Sequence, residues 1–305
     1  MTRPVAVIGA PSNIGIRPYD TGALRHVDRA PEVFRRLGLI DRLGAVDFGD
    51  VGPPVYRDYV RSPGRARNER EVTAYCVSLG DRVARAAGQG RFVVLLGGDC
   101  SIVLAGLLGA RQATGGAVGL AYVDAHADFA TPEESQTGSV ASMCLGLAVG
   151  RGDTPLARLA GDVPLVNDAA VALLGRRDAA DSAYGHAALA ASQVLDQPDA
   201  ALFARGFAAA ADDALARLAS PTLRGFWIHV DADVLNPVDM PAVDSPEPGG
   251  PTAIEIVELL TPLVRHPRAL GLQLTIYDPS LDSDGSCAAR LVALLETVIN
   301  SGECP

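Results

Sequence analysis

Short apolar runs alternate with longer segments of helical character along the whole chain. Runs such as VVLL at residues 93–96, LAYV at 120–123 and FWIHV at 226–230 are almost continuously apolar. Such runs are typical of strands in a parallel sheet that helices cover on both faces. The alternation of strands and helices therefore favours the α/β class. We predict eight strands, at Val5–Ile8, Ala45–Phe48, Phe92–Leu96, Ala117–Val123, Val171–Leu174, Ser192–Leu195, Phe226–Val230 and Leu270–Thr275.

The helical segments lie between these strands, and no connecting stretch has the character of an interdomain linker. The Ala-rich stretch from Ala187 to Ala219 is interpreted as packed helix, because Leu and Phe recur in it at helical spacing. The segment Pro53–Arg67 is rich in Arg, Pro and Gly and is interpreted as a surface loop. We therefore predict a single domain over residues 1–305. The predicted helices are Asn68–Ala87, Ser101–Ala110, Ala200–Ala219, Thr252–Leu260 and Ser286–Ile299.

The composition indicates a globular protein and excludes several classes of partner. Of the 305 residues, 48% are hydrophobic and 20% are charged, which excludes general disorder and permits a large core. The formal net charge of −10 argues against nucleic acid and anionic membranes, which attract basic surfaces. No apolar stretch reaches the roughly 18 residues of a membrane-spanning helix, so none is predicted.

The cysteines and the first residues indicate a cytoplasmic protein. The five cysteines are scattered and form no CxxC pair, so neither a disulfide framework nor a zinc knuckle is indicated. The opening sequence MTRPVAVIGAPSNIG is interpreted as a first core strand, because it lacks the apolar region of a signal peptide. We expect a reducing compartment.

Residues capable of chemistry follow three predicted strands at their carboxyl ends. Open parallel sheets place their ligand sites at this edge. In extended backbone, residues two apart project to the same side, so each group is expected to converge. The groups are Cys100 in GGDCS after the third strand, Asp124, His126 and Asp128 in DAHAD after the fourth, and Asp231 and Asp233 in DADVLNP after the seventh.

The convergence of several carboxylates predicts a metal site. Buried carboxylates repel one another, and two divalent ions would supply the balancing charge. A set rich in carboxylates with one imidazole suits Mn²⁺ better than zinc. Taken alone, a D-x-D sequence at a strand end is as often a loop cap as a metal site. An isolated His126 would more often be a hydrogen-bonded core residue than a metal ligand. The two motifs together, both at strand ends, favour the metal site.

Four sequence motifs resemble those of the ureohydrolases, the family of arginase, agmatinase and formimidoylglutamase. They are DAHAD, DADVLNP, SPEPGG at 245–250 and the Gly-Gly-Asp that follows the third strand, and the resemblance extends from about Val5 to the final helix. It implies a three-layer α/β domain around an eight-stranded, mainly parallel sheet. It also implies two Mn²⁺ ions that share a hydroxide, hydrolysis of linear C–N bonds in guanidines or amidines, and assembly into trimers or hexamers.

The resemblance also assigns roles to individual residues. Asp128 would hydrogen-bond the shared hydroxide as well as bind metal. Cys100 occupies the position of a family histidine in GGDHS; a thiolate can bind a divalent ion there, and the alternative is a small apolar filler. The stretch DFATPEESQTGSVASMCLG at 128–146 is most similar to a branch that hydrolyses hydroxyarginine. The implied metal ligands are Cys100, Asp124, His126, Asp128, Asp231 and Asp233.

Three further departures from the family concern catalysis and the substrate. A histidine thought to shuttle protons in arginases corresponds to Ala141, and an asparagine that contacts the amino-acid end corresponds to Ala130. A glutamate that binds the guanidinium corresponds to Ile276. Isoleucine cannot pair with a guanidinium, and an unpaired cation in a dry site is costly. We therefore expect a small-molecule substrate other than arginine.

Four polar residues near the predicted site have open roles. Glu247, Tyr277 and Asp278 are candidate substrate contacts, although the favoured interpretation of Glu247 is a loop residue held between two prolines. His229 lies where many relatives carry serine, and it is either a donor to a ligand carboxylate or a satisfied core histidine.

Three hypotheses for function follow from these residues. The first is a dinuclear metal hydrolase of linear C–N bonds. The second is a ureohydrolase-like subunit without catalysis, which the loss of the family histidine and glutamate favours. The third, weaker hypothesis makes Cys100 a covalent nucleophile; its place among the metal ligands argues against that role.

Overall fold

The computed structural model describes residues 3–58, 60–178 and 185–300, and eight parallel strands form one sheet within this part of the chain. The sheet order is β2-β1-β3-β8-β7-β4-β5-β6, which confirms the predicted α/β fold. The strands are β1 Val5–Gly9, β2 Val46–Asp50, β3 Phe92–Leu96, β4 Gly119–Val123, β5 Val171–Leu174, β6 Leu195–Gln197, β7 Phe226–Asp231 and β8 Ala269–Thr275.

The sixth strand is the one that departs most from its predicted position. It was expected at Ser192–Leu195 and lies at Leu195–Gln197. Ser192 instead ends a helical turn, since its backbone N–H donates to Leu189 O at 3.0 Å. This edge strand pairs with β5 alone, and the pairing of Ala172 with Leu195 sets its register. Its position therefore depends on a neighbour that the local pattern does not show.

Ten α-helices connect the strands within the described residues. The predicted helix over Ala200–Ala219 is wrong in one respect: it is two helices, because Gly206 at φ 90° and ψ 147° interrupts the helical backbone. The helices are α1 Ala30–Arg36, α2 Leu39–Arg42, α3 Glu69–Gly88, α4 Ile102–Thr114, α5 Cys144–Ala148, α6 His186–Ala190, α7 Asp199–Arg205, α8 Phe207–Leu218, α9 Ala253–Arg265 and α10 Ser286–Asn300.

The longer helices form two packed groups that enclose the sheet. Helices α3 and α4 pack on each other and on β1, β3, β7 and β8, while α8, α9 and α10 form the second group. The central strands are buried along their whole length, as the apolar runs predict. Residues 53–58 and 60–67 contain no helix or strand, in agreement with the predicted loop. None of the described helices has the length and apolar character needed to cross a membrane.

Four adjacent strands at the centre of the sheet, β3, β8, β7 and β4, end at one edge. The Gly-Gly pair after β3 permits this close approach. A Cβ on Gly97 would lie 2.6 Å from Leu274 O, and one on Gly98 would lie 2.3 Å from Ser12 O. Both contacts are with backbone atoms, which cannot move aside as a flexible side chain can. The edge is therefore built with glycine where the strand ends meet.

Candidate metal centre

The two aspartate motifs form the same local turn at the ends of neighbouring strands. His126 N donates to Asp124 Oδ1 at 2.7 Å, and Asp233 N donates to Asp231 Oδ1 at 3.0 Å. Each first aspartate thus accepts the N–H of the residue two positions on, as in an Asx turn. The expected extended backbone is therefore wrong here, since residues Ala232–Val234 form a 3₁₀ turn. The side chains converge because the turns bring them together.

Two groups of donor atoms meet at this edge of the sheet. The first group comes from Cys100, Asp124, His229 and Asp231, and the second comes from Asp124, His126 and Asp233. Within each group all ligand atoms lie within 4.8 Å of one another, and every residue is buried. A single ion has room among the atoms of each group. Asp124 belongs to both groups and would bridge them.

Cys100 lies inside the first group and is not a remote apolar filler. Its thiol is buried and donates to Asp231 Oδ2 at 2.7 Å. Burial raises the pKa of the Cys100 thiol well above its ordinary value, and the neighbouring Asp231, Asp128 and Asp124 raise it further. A divalent ion would reverse this effect, because a nearby cation lowers the pKa of a thiol. The sulfur is placed where a ligand is required, and its role as a ligand stays a prediction.

The carboxylates of the cluster hold protons more tightly than ordinary aspartates. Burial raises the pKa of Asp128 and Asp231 well above the ordinary value, and neighbouring carboxylates raise it further. Burial also raises the pKa of Asp233, although His126 opposes this. For Asp124 burial acts in the same direction, but His126 and His229 together outweigh it and the pKa lies below its ordinary value. The cluster of carboxylates therefore lacks balancing positive charge, which divalent cations would supply.

His126 lies between the centre and the loop that carries Glu247. Its Nδ1 is 3.1 Å from Asp233 Oδ2, and its Nε2 is 3.8 Å from Glu247 Oε1. Burial lowers the pKa of His126, but Asp233 and Asp124 outweigh this and raise it well above its ordinary value. The structure thus places Glu247 against the imidazole, outside the residues that line the cleft. A carboxylate there would orient a metal-bound histidine.

Asp128 lies at the mouth of the centre and belongs to neither donor group. Its Oδ2 accepts a hydrogen bond from the hydroxyl of Tyr122 at 2.7 Å. Its backbone has φ 45°, in the left-handed region that is uncommon for residues other than glycine. The side chain lines the cleft beside Asp124 and His126. Its predicted roles as ligand and as hydrogen-bond partner of a reacting water stay predictions.

Asp278 lies apart from the cleft with both of its carboxylate oxygens engaged. The residue is fully buried; its Oδ2 accepts from His26 N at 2.9 Å, and its Oδ1 accepts from Ser280 N at 2.9 Å. The neighbouring Tyr277 donates its hydroxyl to Asp282 Oδ2 at 2.7 Å. The side chains of Asp278 and Tyr277 are thus used to hold the chain after β8. Neither residue lines the cleft that leads to the centre.

The cleft above the centre has a volume of about 260 Å³. Apart from the predicted ligands, its ionisable lining residues within the described part of the chain are Arg17, Arg25 and Asp244. Arg25 is buried and pairs with Asp244. Ala141 and Ile276, the residues expected to correspond to an arginase histidine and glutamate, both line the cleft. The two departures therefore alter the surface that a substrate would meet.

Ile276 has an unusual backbone conformation at the wall of the cleft. Its φ is 68°, which is an outlier for a β-branched residue. Its N–H donates to Gly98 O at 2.9 Å, so the contact between two strand ends holds it in place. Such strain costs about 1–3 kcal/mol and persists where the surroundings determine the conformation.

Sequence reasoning missed three residues that support the centre: Tyr122, Arg177 and Asp178. Asp178 accepts the N–H of Ala127 at 2.8 Å. Arg177 donates from Nη2 to Asp233 O at 2.8 Å and also contacts the carbonyl of Glu247. A signal was present for each, because Tyr122 shares a strand face with Asp124, and Arg177 and Asp178 follow a strand at the same edge of the sheet.

Comparisons with known proteins agree with this architecture. The sequence matches the Arginase family over residues 3–299. It is 26% identical over 304 residues to an arginase of Bacillus subtilis (strain 168), with 98% of each chain covered. The structure superposes on an arginase from Bacillus caldovelox with a TM-score of 0.87 and 27% identity, with 99% of both chains covered. A formimidoylglutamase from Bacillus subtilis subsp. subtilis str. 168 shares the fold, with a TM-score of 0.74, 19% identity and coverage of 99% of this chain and 88% of the other. The chain belongs to the arginase family.

Proposed function

We propose that this protein is a dinuclear metal hydrolase that cleaves linear, non-peptide C–N bonds of amidines or related small molecules. The observation that carries the proposal is the pair of buried donor groups that share Asp124. Cys100, Asp124 and Asp231 of the first group would hold one ion, and Asp124, His126 and Asp233 of the second would hold the other, with Asp128 as a further ligand beside them. Two divalent ions, most suitably Mn²⁺, would lower the pKa of water and neutralise the charge that develops in the transition state.

The protein side chains supply orientation and the exclusion of water. The Tyr122 hydroxyl holds Oδ2 of Asp128, which leaves the other oxygen of this cleft residue to bind metal or to accept a proton from a reacting water. The Asx turns at Asp124 and Asp231 fix the directions of two carboxylates before any ligand binds. Such preorganisation reduces the cost of arranging the site when the reaction occurs.

The cleft favours a substrate whose reacting end is not a guanidinium. Ile276 places an apolar side chain on the wall, and Asp244 is already paired with Arg25. A guanidinium would therefore enter without a free carboxylate beyond the metal ligands, which is costly in a desolvated site. An N-substituted amidinium carries the same unit charge but has fewer N–H donors that need partners, so this wall supports an amidine, or a neutral group, as the reacting end.

The cleft mouth suits a carboxylate on the far end of that substrate. Ser135 and Thr137 line it, and their hydroxyls accept the N–H groups of Gly138 and Ser139. Each hydroxyl can still donate its own proton to a ligand, since a hydroxyl both donates and accepts. Arg17 lies at the same mouth, where its guanidinium pairs with the exposed Asp20. We propose a small substrate with an anionic tail.

A release assay tests this proposal. The protein is loaded with Mn²⁺, its metal content is measured, and urea and ammonia are assayed over guanidines, amidines and ureas with and without a carboxylate. We expect about two ions per chain and turnover that is highest for an amidine with a carboxylate, and lost in the Asp128→Asn variant. Fewer than one ion per chain after loading would contradict the metal centre. Arginine as the best substrate would contradict the assignment of substrate.

A second candidate function is a metal-binding subunit without catalysis. The presence of Ala141 in the cleft, where arginases carry a proton-shuttling histidine, favours it. Two bound ions with no release from any compound would support this alternative. In either case we propose a cytoplasmic homo-oligomer, a trimer or hexamer, by analogy with the family. Sedimentation of the loaded protein would measure that state.

A further inference from the structure

His229 is buried beneath the metal centre with one ring nitrogen directed at a bridging carboxylate. It lies on β7, two residues before Asp231, and has no solvent exposure. Its Nε2 is 3.5 Å from Asp124 Oδ2, and neither atom has a hydrogen-bond partner within the described residues. Two roles are compatible with this position. The ring could bind a metal ion directly, or it could donate a hydrogen bond to Asp124.

Two hydrogen bonds behind the ring decide where its proton lies. The indole Nε1 of Trp227 can only donate, and it faces Gln273 Oε1 at 2.8 Å. This contact orients the Gln273 amide, so the amide nitrogen is the atom that lies 2.8 Å from His229 Nδ1. An amide nitrogen donates and does not accept. Nδ1 must therefore accept, and the ring proton is on Nε2.

The position of that proton argues against metal binding by His229. A histidine that binds metal presents a bare nitrogen to the ion and donates from its other nitrogen, usually to a carboxylate, a carbonyl or water. His229 has the opposite polarity, with an amide donor at Nδ1 and an N–H directed at Asp124. The ion of the first donor group would therefore be held by Cys100, Asp124 and Asp231 and not by the imidazole.

We infer that His229 is a positioning residue that donates from Nε2 to Asp124 Oδ2, with its tautomer set by Gln273 and Trp227. The three side chains are fully buried and form one path from the core to the carboxylate that both ions would share. Full burial also means that His229 does not replace the lost proton-shuttling histidine, which would need access to the cleft. The inference rests on the proposed metal centre for its consequence, but the tautomer can be measured without metal.

The first test reads the tautomer in the metal-free protein. The chain has five histidines, so ¹⁵N-labelled ring signals in long-range ¹H–¹⁵N spectra can be assigned with single substitutions. We expect the His229 ring to be protonated at Nε2 and not at Nδ1. A ring protonated at Nδ1 would overturn the inference, whatever the protein hydrolyses.

The second test reads metal ligation directly. The protein is loaded with ¹¹³Cd²⁺, which is diamagnetic, and couplings between ¹¹³Cd and ring ¹⁵N are sought. We expect a coupling at His126, which serves as the internal control, and none at His229. A coupling at His229 would overturn the inference. Absence of coupling at both residues, together with no bound cadmium, would contradict the metal centre while the tautomer measurement still decides the role of His229.

Two variants separate a donor from a ligand. His229→Gln keeps an N–H that can reach Asp124, whereas His229→Leu fills the space without a donor. We expect Mn²⁺ affinity, measured by calorimetry, to stay close to that of the original protein in the glutamine variant and to fall about 10–100-fold in the leucine variant. Equal losses in both variants would indicate a ligand and overturn the inference. Because the first two tests are read on chains that keep His229, with substitutions of the other four histidines used only to assign signals, a His229 variant that fails to fold leaves the inference testable.

Discussion

The phenol ring of Tyr122 stacks on the imidazole of His229, with ring centroids 4.2 Å apart. The two residues are directly paired between β4 and β7, so the stack is a cross-strand contact beneath the centre. The Tyr122 hydroxyl reaches Asp128 while His229 faces Asp124. One aromatic pair therefore supports two carboxylates of the predicted ligand set.

The Tyr122→Phe variant is expected to weaken metal binding while keeping the stack. Loss of the hydroxyl leaves a buried oxygen of Asp128 without its donor, which costs about 1–3 kcal/mol. We expect Mn²⁺ affinity to fall by about tenfold, since partners of this kind typically contribute that much. The control is Tyr75→Phe, which removes a hydroxyl that donates to Val51 O at 2.7 Å, outside the centre. Equal affinity changes in the two variants would contradict the prediction.

Cys100→Ala is expected to lose one of two bound ions, whereas Cys100→His should retain both. The alanine has no donor atom for the first group, and histidine is the residue that the family carries there. Cys144→Ala is the matched control, because that thiol is also buried but donates to Val140 O at 3.1 Å. Elemental analysis after manganese loading gives the readout. Two ions bound at unchanged affinity in Cys100→Ala would show that sulfur is not a ligand.

Arg177→Lys is expected to loosen the turn that carries Asp233. The guanidinium of Arg177 donates to the carbonyls of Asp233, Val234 and Glu247, and lysine cannot reproduce that planar fork. We expect the free energy of unfolding to fall by about 2–3 kcal/mol, since bonds from a charged donor contribute about 1.5–3 kcal/mol. Urea unfolding measures the change. Arg217→Lys, which alters a partly exposed arginine bonded to two carbonyls elsewhere, should change stability less.

The metal-free protein is expected to lose stability as the pH rises above about 4, the ordinary range of aspartate. Burial raises the pKa of Asp128, Asp231 and Asp233, so the folded state binds more protons than the unfolded state. Their contribution to stability is fully present below the unfolded pKa and is lost as the pH rises through the raised values. The lowered pKa of Asp124 makes stability rise with pH, but it is one residue against the three with raised pKa values.

Thermal unfolding in the presence of a chelator, from about pH 4 to about pH 8, measures this dependence. We expect the stabilisation by added Mn²⁺ to grow over the same range, because metal ligands must be deprotonated. The Asp231→Asn variant should flatten the decline in the metal-free protein. A melting temperature that rises with pH without metal would contradict the sign.

Ile276→Glu is expected to create activity towards guanidines. A carboxylate at this wall of the cleft would pair with a guanidinium, and such a charged contact contributes about 1.5–3 kcal/mol, or roughly 10–100-fold in kcat/KM. Ile276→Gln has the same shape without the charge and is the control. Urea release from arginine and agmatine measures the gain. No difference between the two variants would show that the wall does not set the substrate.

The fold and the positions of the site could be predicted because they depend on local patterns. Continuous apolar runs located β3, β4 and β7, and the polar residues after them had to meet at one edge once the strands were parallel. Contacts between distant segments could not be predicted in this way. The register of β6 depends on β5, the break at Gly206 depends on packing, and Tyr122 and Arg177 gain their roles only from partners that the sheet brings near.

The order of the strands in the sheet has a consequence for synthesis. Cys100 and Asp124 follow β3 and β4, which are separated in the sheet by β8 and β7. Those two strands are the last strands to be synthesised, so a nascent chain that ends before residue 226 carries four of the six predicted ligands without the strands that set their spacing. The complete set of donors can therefore form only after both β7 and β8 have been synthesised.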